Sequence, residues 1–234
     1  MVAREGRETL RPRRIIACGG RQLFYPELID FVLSFAARKR PKALFLPTAS
    51  GDGDTYVSLF QMAFAGRGCG LTVLELFNRT VEDIDGLIRD QDVVVVGGGN
   101  TANMLAIWRV HGVDRALRAA YDAGTVMTGW SAGALCWFEG GTTDSFTPEL
   151  SGLRDGLGFL KGSVSPHYDS EERRPRVYAR EIAAGLPPGI ALDDGVAASY
   201  EDETLVEVVS GRDRGRAFTV DRDGEHPLDV RALR

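Results

Sequence analysis

The sequence is short of the residues that build metal, redox and disulfide sites. It has only three cysteines and three histidines in 234 residues. Cys18, Cys69 and Cys136 are odd in number and far apart, so neither a disulfide framework nor a Cys-x-x-Cys motif is available. They are expected to be reduced, buried thiols. No His/Cys/Asp grouping shows ligand spacing, and neither a metal nor an organic cofactor is expected. No apolar run approaches the roughly 20 residues that a membrane-crossing helix needs, so no membrane partner is expected. A basic excess is also missing: Lys+Arg number 28 against Asp+Glu 33, a formal net charge of -5. The short basic clusters at 11–14, 37–42 and 173–176 read as solvated faces, and a nucleic-acid partner is not expected. The first fourteen residues, MVAREGRETLRPRR, contain no apolar stretch. No secretory leader is therefore expected, and the cytoplasm is the expected location.

What the sequence does have is alternation. IIACGG (15–20), ALFLPTA (43–49), TVLELF (72–77), VVVV (93–96) and TVMTG (125–129) read as near-continuous apolar strands. Helical segments are expected between them over 27–38, 56–66, 81–89, 102–111 and 114–123. Such alternation predicts an α/β fold, with a mostly parallel central sheet covered by helices on both faces. After Phe138 Gly- and Thr-rich loops are expected, and then shorter strands in SVSPHY, GIALDD, AASY, TLVEVV and RAFTV. No repeat or Pro/Gly/Ser-rich linker divides the chain. One domain over 1–234 is expected, with 1–14 and about 222–234 as loosely held ends.

Residues 126–137, VMTGWSAGALCW, hold a Gly-x-Ser-x-Gly between an apolar strand and an apolar helix. That is the setting of a nucleophile elbow. A sharp turn exposes the Ser131 hydroxyl at the carboxyl edge of the sheet, while the flanking glycines let neighbouring backbone pass. The Ala132 N–H, at the helix start, faces a developing oxyanion. A serine needs a base. His111 stands at a helix end and His226 in a polar tail, so His167, ending a strand behind Pro166, is the candidate. For the orienting carboxylate, the order Ser…acid…His would use Asp144 or Asp155. Asp193 and Asp194 instead follow the apolar strand GIAL, and the order Ser…His…Asp is preferred. The loop GGGNT (97–101) formally matches a dinucleotide fingerprint at Gly97, Gly99 and Ala102. It follows the fourth strand rather than the first and lacks the downstream acid, so it reads as an anion-holding turn instead.

Taken together, Gly97–Thr101, Gly129–Ala134 and Pro166-His167 make the chain resemble the peptidase E (aspartyl dipeptidase) family of serine peptidases, over about 15–209. The resemblance implies a flavodoxin-like fold related to class I glutamine amidotransferases. It also implies Ser131 as nucleophile, His167 as base, and Gly99 and Ala132 as oxyanion donors. The family's acid, a glutamate, falls at Asp194, with Asp193 as the alternative. Its substrate-binding arginine falls nearest to Arg173, in EERRPR; Arg176 and Asn100 complete the substrate-binding candidates. The activity implied is hydrolysis of short peptides, with N-terminal aspartate as one candidate preference, by a monomer or homodimer. Cyanophycinase-like, esterase and non-catalytic binding readings of the same motifs are the alternatives.

Overall fold

The computed structural model describes residues 11–234. The chain begins with β1 (Arg14–Cys18), α1 (Pro26–Leu33), β2 (Lys42–Leu46), α2 (Asp54–Phe64) and β3 (Gly70–Val73). It continues with α3 (Ile84–Arg89), β4 (Val93–Val96), α4 (Thr101–His111), α5 (Val113–Asp122), β5 (Val126–Trp130) and the short α6 (Ala132–Leu135). Then come β6 (Phe138–Thr143), β7 (Ser151–Leu153), β8 (Leu160–Ser165), α7 (Arg174–Ala183) and β9 (Gly189–Leu192). The chain closes with β10 (Val196–Glu201), β11 (Thr204–Ser210), β12 (Ala217–Val220), β13 (Glu225–Pro227) and β14 (Arg231–Ala232).

The expected alternation produces the larger sheet, ordered β14-β11-β10-β1-β5-β4-β2-β3. Its centre, from β1 through β5, β4 and β2 to β3, is parallel, whereas β10 and β11 join antiparallel. Side chains alternate across this sheet as the two-residue period requires. Ile16, Cys18, Phe45, Val93 and Val95 face α1 and α2. Ile15, Ala17, Leu44, Val94 and Val96 face α3, α4 and α5. Helices thus cover both faces.

Of the later strands, β10, β11 and β14 extend that sheet, and the Gly- and Thr-rich stretch after Phe138, expected as loop, forms β6 instead. The remaining strands build a second sheet, ordered β13-β12-β9-β8-β6-β7. Its Phe138, Leu160, Val164, Ile190 and Leu192 share the core that carries Trp108, Tyr121 and Trp137. On its other side α7 supplies Tyr178 and Ile182 to a smaller cluster with Tyr168 and Val220.

Three local expectations are corrected. The third strand ends at Val73 rather than Phe77, because the Leu76 and Phe77 N–H groups turn to the Asp52 carboxylate. The first helix ends at Leu33 rather than Arg38; the Ser34 hydroxyl donates back to the Phe31 carbonyl, and tighter turns follow. The carboxyl tail is not a loose end: β13 pairs with β12 and β14 with β11. At the amino end, residues 1–10 lie outside the described residues. Arg13 is bound to Asp202 and Glu203, and Arg14, which opens β1, to Glu201.

Candidate active site

The elbow forms where β5 ends. Ser131 caps α6 with φ 56° and ψ -114°, a conformation that costs a non-glycine residue roughly 1–3 kcal/mol. Neighbouring glycines make the turn possible. A Cβ on Gly133 would stand 2.2 Å from the Val96 carbonyl oxygen, and one on Gly129 would stand 2.5 Å from the Gly133 carbonyl oxygen. Helix α6 can therefore rest against β4 and β5 only where side chains are absent. The apolar Ala-Gly-Ala-Leu helix is buried throughout.

His167 leaves β8 behind Pro166 and also takes a positive φ, 52°. Its Nδ1 lies 2.7 Å from Asp194 Oδ1. A carboxylate can only accept, so Nδ1 carries the proton, and in the neutral imidazole Nε2 keeps its lone pair. Burial would raise the Asp194 pKa. The hydrogen bond and charge of His167, a Ser170 hydrogen bond and the Arg21 charge outweigh it and hold the carboxyl below its ordinary value. Asp193 faces the other way. Its Oδ2 accepts from Arg212 and from Arg216, each at 3.1 Å, and makes no contact with His167. β9 ends at Leu192, and residues 193–196 form a turn closed by the Val196 N–H on the Asp193 carbonyl at 3.2 Å, so the chain reverses between the two carboxylates.

One short stretch aligns these segments. Cys18, Gly19 and Gly20, where β1 ends, offer three consecutive carbonyls. They accept the N–H groups of Ser131 (3.2 Å), His167 (3.1 Å) and Gly195 (2.9 Å). Gly20 also sits directly against the His167–Asp194 pair. In the sequence these glycines mark only the close of a strand. Asp169, also unforeseen, accepts the Asp194 N–H at 2.9 Å.

Ser131 and His167 line one cavity of about 530 Å³, together with Gly98, Gly99 and Asn100. That volume suits a small ligand. Leu23, Phe24, Tyr56, Leu59 and Trp130 form its apolar lining, and Arg21, Asp144, Glu171 and Arg174 its charged part. The N–H groups of Gly99 and Ala132, the expected oxyanion donors, donate to no described residue. Gly99 takes φ 138°, and a Cβ there would meet the Ala49 carbonyl oxygen at 2.1 Å, which reserves the position for glycine.

The other expected substrate residues fare differently. Asn100 lines the cavity, but its side chain caps α4 through the Asn103 N–H and donates to the Ser145 carbonyl. Arg173 does not line the cavity; it is exposed and paired with Glu149 at 2.6 Å. Arg176 is exposed on α7 and does not line it either. Within that cluster the arginine that reaches the cavity is their neighbour Arg174, buried and gripped by Glu171 at 2.9 and 3.2 Å. Asp144 reaches the cavity without contacting His167, and Asp155 instead binds Arg109.

His111 lies beside Arg79, and the exposed His226 beside Asp221. Cys18 and Cys136 are buried as expected, but Cys69 is only half-buried. Among the described residues no group of three or more His, Cys, Asp or Glu could hold a metal ion, and no helix is long and apolar enough to cross a membrane.

Comparison with known proteins bears on the family and the fold. The model of peptidase family S51 matches residues 15–208. The uncharacterized peptidase YgaJ of Bacillus subtilis is 40% identical over 230 residues, covering 94% of this chain and 99% of its own. Peptidase E of Shewanella denitrificans is 28% identical over 197 residues, covering 80% and 82%. A crystal structure of a peptidase from an acI-B1 actinobacterium superposes with a TM-score of 0.69 at 18% identity, covering 94% of this chain and 96% of that one. At that identity the likeness is one of fold.

Proposed function

The chain belongs to peptidase family S51, the serine peptidases of the peptidase E type, and we propose that it is an exopeptidase that hydrolyses short peptides through Ser131, His167 and Asp194. The observation that carries this reading is the pairing of a strained Ser131 with a carboxylate-bound His167 across one cavity.

Chemistry follows from the proton inventory. With Nδ1–H donated to Asp194, His167 Nε2 accepts the Ser131 proton as Oγ attacks the scissile carbonyl. Negative charge moves to the carbonyl oxygen, where the Gly99 and Ala132 N–H groups are available to hold it. Collapse expels the amine, which takes its proton from His167 Nε2, and leaves an acyl ester on Ser131. Water then repeats the cycle: His167 removes its proton, the ester is cleaved and the Ser131 hydroxyl is restored. Asp194 keeps the imidazole in the required tautomer and stabilises its charged form.

Ser131→Ala should bind peptide but lose turnover by about 10⁴-fold or more. The test is release of free amino acid from Ala-Leu and Asp-Leu, alongside labelling by a fluorophosphonate probe. Cleavage of Asp-Leu alone would assign an aspartyl preference, and cleavage of both a broader dipeptidase. Full turnover by Ser131→Ala would overturn the mechanism.

A further inference from the structure

Two arginines line the cavity, and they are committed to different extents. Arg174 is spent inside the protein. Its Nε and Nη2 are taken by Glu171, and its Nη1 by the carbonyl and hydroxyl oxygens of Thr142 at 2.8 and 3.0 Å. Its side chain is only 4% exposed, and its charge is cancelled by Glu171. Arg21 is held by one edge: its Nε lies 3.1 Å from Asp194 Oδ2, on the oxygen that His167 does not use. Neither of its Nη atoms hydrogen-bonds a described residue, and 65% of the side chain is exposed.

The local backbone presents Arg21 to the cavity. It takes φ 56° directly after the Gly19-Gly20 pair, and its carbonyl accepts the Phe24 N–H while that of Gly20 accepts Gly195. The turn is therefore pinned on both sides, in a conformation that a non-glycine residue adopts only under constraint.

We propose, on the serine-peptidase reading above, that Arg21 is a specificity-determining residue: its two free Nη groups receive a substrate carboxylate while Nε remains on Asp194. A guanidinium fork with both outer nitrogens open matches a carboxylate in the bidentate manner. Arg174 has no comparable open edge. Asp144, which lines the same cavity and has no hydrogen-bond or ion-pair partner among the described residues, disfavours an anion at its own position. The carboxylate can belong to the carboxyl terminus of a dipeptide or to an acidic side chain.

The experiment separates these sources and the two levels of the argument. Calorimetric titration in a Ser131→Ala background, where nothing is consumed, compares Ala-Leu with Ala-Leu amide and Asp-Leu with Asn-Leu. With Arg21 present, the carboxylate-bearing member of at least one pair should bind about tenfold or more tightly than its neutral partner. Arg21→Ala should bring that ratio to about one, and Arg21→Lys should restore part of it, since a point charge lacks the fork. The pair that discriminates names the carboxylate. A ratio unchanged by Arg21→Ala, or affinity lost equally for both members, would reduce Arg21 to a support for Asp194 and overturn the proposal. Turnover and Ser131 labelling in the otherwise wild-type enzyme report separately on the serine-peptidase reading, so either conclusion can fail while the other stands.

Discussion

Gly20→Ala adds a single methyl group where the two partners of Ser131 meet. Its Cβ would stand 2.0 Å from Asp194 Oδ1, 2.5 Å from His167 Cε1 and 2.6 Å from His167 Nδ1. Non-bonded heavy atoms settle at roughly 3.5 Å, so the carboxylate or the imidazole must retreat by more than about 1 Å. Gly20 does not occupy the left-handed region, so alanine brings no backbone strain of its own. Nor can Asp194 swing freely, because its carboxylate is 7% exposed and its N–H is tied to Asp169. The displacement falls on the 2.7 Å hydrogen bond that sets the histidine tautomer. Misplacing a catalytic group by about 1 Å costs about 10²-fold, and losing the correct tautomer about 10⁴-fold. We therefore expect kcat/KM for a cleaved dipeptide to fall by between about 10² and 10⁴. Gly70→Ala is the control, because its added Cβ would meet only Lys42 Cγ at 3.9 Å. Dipeptide hydrolysis and the rate of Ser131 labelling are the readouts, with thermal unfolding to establish that each variant is folded. A folded Gly20→Ala protein with undiminished hydrolysis would refute the assignment of the His167–Asp194 pair to the chemistry.

Other expectations follow from the same geometry. Asp194→Asn should lower kcat by about 10⁴-fold, while Asp193→Asn, whose carboxylate faces Arg212 and Arg216, should stay within about threefold; the reverse order would exchange their roles. Because Asp194 is held below its ordinary value of 3.8, its ionised form contributes stability that is fully present above that value and lost as the pH falls through the lowered one. The stability difference between wild type and Asp194→Asn, followed by urea unfolding, should hold from neutral pH down to about 4 and shrink below it. Burial pushes the Cys18 thiol up to about 12 and that of Cys136 well above its ordinary value. Iodoacetamide at neutral pH should thus modify only the half-buried Cys69 of the folded protein and leave hydrolysis intact. Activity lost in step with alkylation of Cys18 or Cys136 would argue against this account of the cavity.

How far the sequence disclosed the molecule depended on whether a feature was local. The β1–β5 strands and the Gly129–Gly133 elbow are written in hydrophobic runs and small residues, and they were legible directly. The second sheet was not, because a strand's neighbours are set by pairing over long separations; β8 and β9 read as shorter strands without any sign of which sheet they join, and the Gly- and Thr-rich β6 reads as loop. The three arginines at 173, 174 and 176 are alike in type, and only the rotation of about 100° per residue along a helix decides which of them faces inward. Nothing in the sequence therefore singles out Arg174 from Arg173. Arg21 gave one faint sign, a charged residue after two glycines at the carboxyl end of a strand, the edge where open α/β sheets gather ligands.

The three carbonyls of Cys18, Gly19 and Gly20 bear on when the enzyme can act. They belong to the first strand of the chain, yet the segments they hold arrive only with residues 131, 167 and 195. On the proposed mechanism, a growing polypeptide carries the reference edge of its active centre early and stays inert until the last of those segments has been made and closed onto it. Folding dominated by such distant contacts is slow compared with helix formation. Hydrolytic power is accordingly one of the last properties the molecule acquires.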